Sequence, residues 1–138
     1  MKKQYVVGFM FSEDRKSVVL IRKNKPEWQA GKLNGVGGKI EPGEIPGDAM
    51  MREFIEEAMA IYTAWHHFLT ISYKEAVVYF YRAFDDECFQ CAETGESEVI
   101  EKISLDAWPS DEVIPNLNWI VNLALDEMID YTKANEVE

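Results

Sequence analysis

A mixed α/β fold, in which a β-sheet is covered by helices, is what this 138-residue sequence predicts. Three observations predict it. Short runs rich in β-branched and aromatic residues occur on both sides of a central glycine-rich stretch. Helical periodicity appears at two separate places, after that stretch and near the C-terminus. The composition, 47% apolar and 12% aromatic, is that of a globular chain, and the length fits one domain spanning residues 1–138.

Taken in order, "QYVVGFMF" and "SVVLIRK" read as two strands of a hairpin joined by the polar "SEDRK". The segment "NKPEWQAGKLNGVGGKIEPGE" is punctuated by Pro26, Gly31, Gly35, Gly37, Gly38, Pro42 and Gly43 and reads as a loop. A first helix follows over about Pro46 to Met59, with proline at the favoured first position and Ile45, a poor capping residue, before it. "WHHFLTISY" and "AVVYFYRAF" read as two more strands turning at Lys74 and Glu75, and "VIEKISL" as another. A second helix is expected from near Pro115 to about Thr132, where Leu117, Ile120, Val121, Ala124, Leu125 and Met128 form a core-facing stripe.

Composition excludes several functions. A net charge of −11 argues against a broad basic face for duplex nucleic acid. It leaves room for a small phosphorylated ligand, because a divalent cation reverses the local field. No apolar run approaches the roughly 18 residues of a membrane span, and Met1-Lys2-Lys3-Gln4 leads into a strand without a cleavage site, so a cytoplasmic protein is expected. Cys88 and Cys91 make a single Cys-x-x-Cys, half of a zinc site without a second pair. His66 and His67 point to opposite faces of a strand, and "DDECFQCAETGE" does not read as the helix N-terminus of a redox pair. Two ordinary reduced thiols are expected.

One feature resists a bland reading. At about 100° per residue Glu53, Glu56 and Glu57 share one side of the first helix, while Met50, Met51, Phe54, Ile55 and Ala58 cover most of the rest. Like charges at these spacings repel, and Arg52 is the nearby cation. Convergent carboxylates of this kind suit Mg²⁺ or Mn²⁺. A solvated acidic face is the alternative.

The spacing resembles the Nudix box, G-x5-E-x7-R-E-U-x-E-E-x-G-U, with U a bulky aliphatic. Gly38, Glu44, Arg52, Glu53, Phe54, Glu56 and Glu57 stand at the matching positions. Met59 stands where the box has glycine, and Ala60 where it has a larger aliphatic. The resemblance implies a Nudix fold, an α/β/α sandwich with a mixed β-sheet, and hydrolysis of a nucleoside diphosphate linked to another group. It implies Mg²⁺ or Mn²⁺ held by Glu53, Glu56, Glu57 and the Gly37 carbonyl, with Arg52 orienting the carboxylates and Glu44 steadying the loop–helix junction. Glu56 or Glu98 would be the general base, with Glu96 as neighbour. Lys39 would meet a phosphate oxygen, and Arg22 and Lys23 are weaker phosphate candidates.

"GKLNGVGGKIEPGE" and "AWPSDEV" look like the MutT-like branch that cleaves nucleoside triphosphates to monophosphate and pyrophosphate. That likeness implies a base contact from Asn34 and a pocket lined by Trp108 and Asp111. Ser110 replaces an aspartate of one subgroup. Rival readings are a nucleoside diphosphate sugar or dinucleotide polyphosphate as substrate, or a non-catalytic nucleotide-binding module. The expected partner is a nucleotide, with no duplex nucleic acid and no membrane, and the chain is expected as a monomer or homodimer.

Overall fold

Strands β1 (Lys3–Phe11) and β6 (Ala76–Phe84) run parallel through the middle of the sheet, in register from Lys3↔Ala76 to Phe11↔Phe84. The computed structural model describes residues 2–128 and 130–136. The predicted hairpin is present: β2 (Ser17–Arg22) lies antiparallel to β1, pairing Met10 with Val19. On the far side of β6 lies β5 (His66–Ser72), antiparallel to it, and β7 (Val99–Ser104) pairs with β2 along its whole length.

Alternation along β1 sorts side chains to two faces. Val6 and Met10 join Met50, Phe54 and Ala58 of helix α1 (Pro46–Ala58), together with Cys88 of helix α2 (Asp86–Cys91), in one core. Phe9 and Phe11 join Phe68, Phe80 and the stripe Leu117, Ile120, Val121 and Ala124 of helix α3 (Leu117–Leu125) in the other. The result is the expected sandwich, with helices on both faces of a mixed sheet.

Four details depart from the sequence reading. The glycine-rich "loop" contains two short strands, β3 (Leu33–Asn34) and β4 (Val36–Lys39), the latter pairing with Tyr5 to Gly8 of β1. Glycine is depleted in strands, which hid β4. Here it serves a close approach, since a Cβ on Gly37 would run into the main chain of Val6. Helix α2 was also missed. Asp85 caps it, accepting from the Cys88 N–H at 2.8 Å. "DDECFQC" thus does hold a helix N-terminus, yet burial pushes the Cys88 thiol up to about 11, and both cysteines are free. That is the inert form of a thiol.

Helix α3 ends at Leu125, well short of Thr132, and Met128 is 93% exposed rather than in the core. Asp126 and Glu127 follow at the negative end of the helix dipole, where the last turn of the helix itself carries no basic residue. Arg82 of β6 instead donates to the carbonyls of Ala124 and Asp126. A further strand, β8 (Tyr131–Glu136), then lies parallel to β5 at the sheet edge.

At the end of α1 the absent box glycine leaves a mark. Met59 adopts a left-handed conformation, φ 55° and ψ 33°, which glycine would take without a Cβ penalty. Met59→Gly is expected to stabilise the fold by about 0.5–1 kcal/mol in urea unfolding; a destabilised variant would mean that the Met59 side chain contributes more than its strain costs.

Candidate functional site

The site is built where β4 passes under α1. Gly38 lets the two meet, for a Cβ there would collide with the Glu53 carboxylate, 7% exposed, that rests above it. Before the helix, Glu41 donates its N–H to the Glu44 carboxylate at 3.0 Å, and the Glu44 N–H returns to the Glu41 carbonyl. This local ring shapes the turn that leads into the helix, whose N-cap Ile45 offers no capping side chain.

Arg52 is the centre of the arrangement. Its Nε and Nη2 fork onto both oxygens of Glu44 at 2.8 and 2.9 Å, a bidentate geometry. Its Nη1 is shared by Glu53 Oε2 and Glu56 Oε2, each at 3.1 Å, and Nη2 also reaches the Lys39 carbonyl at 3.1 Å. One guanidinium therefore draws two carboxylates of the ridge to a single point. The third, Glu57, accepts from the Ser97 hydroxyl at 2.9 and 3.2 Å.

Electrostatics follow from this crowding. The Arg52 fork holds the Glu44 carboxyl below the usual range. Burial pushes the Glu53 carboxyl above it; Arg52 pulls it back, and the charges of Glu56 and Glu57 add to the rise. A carboxyl whose pKa is raised by folding costs stability wherever it is ionised. The loss is complete above the raised value and absent below the ordinary 4.5. Glu53→Gln is therefore expected to stabilise the protein in chelator at neutral pH by about 0.5–1 kcal/mol, a gain that fades on acidification towards the ordinary value. Equal or lower stability at neutral pH, by thermal unfolding, would contradict this.

The donor set fits a hard divalent cation: three carboxylates on one helical side, two of them converging, above a main chain opened by glycines. As the side chains stand, no three acidic, histidine or cysteine groups form a cation cage among the described residues. Arg52 and Ser97 occupy the carboxylates that such a cage would use.

The remaining candidates are dispersed. Gly37 lies in β4 opposite Val7, and the Lys39 side chain is exposed at the strand's end. Arg22, a weaker phosphate candidate, is engaged by acidic partners: it forks onto Glu101 at 2.7 and 2.8 Å and reaches Glu112 and the Gly31 carbonyl, both at 3.1 Å. Its partners, strand β7 and the loop before α3, come from far along the chain, which is why its commitment was invisible in sequence. Glu98 is 5% exposed and accepts from Lys23 Nζ at 2.8 Å and from the Asn24 N–H. Burial would raise its carboxyl; these donors leave it lowered.

Asn34 is a buried residue of β3, donating to Gln29 Oε1 at 3.0 Å and accepting from the Gly35 N–H at 2.7 Å. Trp108 is half-buried against the α3 core, and its indole N–H donates to the Asn118 carbonyl at 3.3 Å. Asp111 is exposed, its main-chain carbonyl accepting from Lys32 Nζ at 2.7 Å. Sequence reasoning missed Ser97, Gly95 and Gln29. For Ser97 and Gly95 the hint was "TGES", four small or polar residues shortly before a strand; for Gln29 there was none.

Comparison with known proteins agrees with the geometry. The family model described as the NUDIX domain matches residues 1–123. A MutT structure, from work on the Aliivibrio salmonicida and Vibrio cholerae proteins, superposes with a TM-score of 0.74 at 20% identity, covering 91% of this chain and 98% of that one. MutT of Bacillus halodurans gives 0.71 at 17% identity over 97% and 88%. The NUDIX domain of Shewanella oneidensis NrtR, in complex with ADP ribose, gives 0.77 at 16% identity over 93% and 89%. Comparison with curated proteins gives no match. With the domain model spanning most of its length and the box residues gathered around Arg52, the chain belongs to the Nudix family.

Proposed function

We propose that this protein hydrolyses a nucleoside triphosphate, ordinary or oxidised, to the monophosphate and pyrophosphate, using Mg²⁺ or Mn²⁺. The observation that carries the reading is the sharing of Arg52 Nη1 by Glu53 and Glu56 directly above the double glycine. Glu53, Glu56 and Glu57, with the Gly37 carbonyl, would hold the cation. When bound, such an ion neutralises phosphate oxygens and lowers the pKa of a coordinated water.

The chain's own groups do the rest. Arg52 orients two carboxylates and is itself anchored by Glu44. Glu56 is the better candidate for general base, because it is half-exposed on the ridge. Glu98 would first have to leave Lys23 and the Asn24 N–H, the donors that hold its carboxyl below the usual range. Lys39, exposed beside the ridge, is suited to a phosphate oxygen. Asn34 is the candidate base contact, and Trp108 and Asp111 are the further candidates for the substrate. No helix among the described residues is long and apolar enough to cross a membrane.

One observation favours a second reading: the structural neighbour bound to ADP ribose, which points to a nucleoside diphosphate derivative as ligand. Phosphate release in Mg²⁺ separates the two, read with added pyrophosphatase for the triphosphates and with added alkaline phosphatase for ADP ribose and the sugar nucleotide, whose cleavage yields phosphomonoesters and no pyrophosphate. The panel should hold ordinary and oxidised triphosphates, ADP ribose and a nucleoside diphosphate sugar. Turnover fastest on a triphosphate supports the proposal. Turnover confined to ADP ribose or the sugar nucleotide, or binding without turnover, supports the alternative.

A further inference from the structure

Helix α1 ends with main-chain carbonyls that it cannot serve itself. A segment far along the chain meets three of them. Glu96 N–H donates to the Glu56 carbonyl, Gly95 N–H to that of Glu57, and Glu93 N–H to that of Ala58, each at 3.0 Å. Gly95 is demanded by this contact, for a Cβ there would collide with the Glu56 carbonyl. The next residue but one is Ser97, whose hydroxyl sits on both oxygens of Glu57. Glu98 then pins the segment to Lys23 and the Asn24 N–H before β7 begins.

From this chain of contacts we propose that Ser97 is a positioning residue for divalent-cation binding, holding the Glu57 carboxylate at the ridge on a segment registered by Gly95 and Glu98. The proposal rests on the reading of Glu57 as a cation ligand. Glu57 is four residues from Glu53 and next to Glu56, so both repel it. Arg52 relieves the other two, but among the described residues it makes no ion pair with Glu57. Left alone, Glu57 would be a flexible side chain pushed away from its neighbours, and binding a cation would then require freezing it. A hydroxyl that already fixes it lowers that loss. The hydroxyl donates a single proton and leaves the charge and further lone pairs of the carboxylate for the ion.

The test is a Mn²⁺ titration of the whole chain without nucleotide, with free Mn²⁺ read by electron paramagnetic resonance. Ser97→Ala is expected to raise the dissociation constant about 3–10-fold, and Ser97→Thr to restore it to within about twofold. Combined with Glu57→Gln, Ser97→Ala should add nothing further, a result that general loss of structure would not give. Unchanged affinity in Ser97→Ala overturns the proposal. Tighter binding does so too, since it would mean that the hydroxyl restrains Glu57 from the ion. If Glu57→Gln weakens binding and Ser97→Ala does not, only the role of Ser97 fails; if Glu57→Gln itself changes nothing, the ligand reading fails with it.

Discussion

Glu56→Gln is expected to lower kcat/KM for a nucleoside triphosphate about 10³-fold, with the fold intact. The glutamine is isosteric and can still accept from Arg52 Nη1, which binds Glu56 at 3.1 Å in the native chain. What it cannot do is carry a negative charge towards a cation or take a proton from water. The change thus separates the chemistry of the ridge from its packing. Steady-state rates at saturating Mg²⁺, with circular dichroism as a control for structure, check it. A variant within about threefold of wild type would move the general-base and ligand roles away from Glu56.

The second large effect concerns stability. Arg52→Ala is expected to destabilise the protein by about 2–3 kcal/mol in chelator, because it removes charge-assisted bonds to three glutamates at once. Glu44 would lose its bidentate partner, and Glu53, raised already by burial, would lose its principal counter-charge. Added Mg²⁺ should recover more stability in this variant than in wild type, since the ion then does the neutralising that Arg52 did. Arg52→Lys should recover only part, because an ammonium cannot fork. Urea unfolding with and without Mg²⁺ reads both effects. A loss under about 0.5 kcal/mol would reduce Arg52 to a surface residue.

Much of this was legible in the chain, and for identifiable reasons. Helix α1 was readable because its proline start, apolar face and acidic side are all local signals. Strands β1, β2, β5, β6 and β7 were readable from β-branched and aromatic runs. Strand β4 was not, because Val36–Lys39 contains two glycines whose purpose, approach to Val6 and to Glu53, exists only after folding. The overlong α3 came from extending a real stripe past Leu125 on the strength of Met128, whereas the chain leaves the helix there and continues to β8, whose pairing with β5 no local pattern encodes. Within the site, the ridge, Arg52 and Glu44 share one short segment and could be read together. Arg22, Glu98 and Ser97 acquire their partners from segments some seventy to ninety or forty residues away, and no local pattern encodes those contacts.

The claim beneath all of this is that the glutamate ridge exists to receive a divalent ion together with a polyphosphate. Titration calorimetry of the intact chain with Mg²⁺, in the presence of a non-hydrolysable nucleoside triphosphate, tests it most directly. Binding should be seen in wild type and be weakened at least about tenfold by Glu53→Gln. Heat of binding that is identical in the two proteins, or absent from wild type with Mg²⁺ and Mn²⁺ alike, would contradict it.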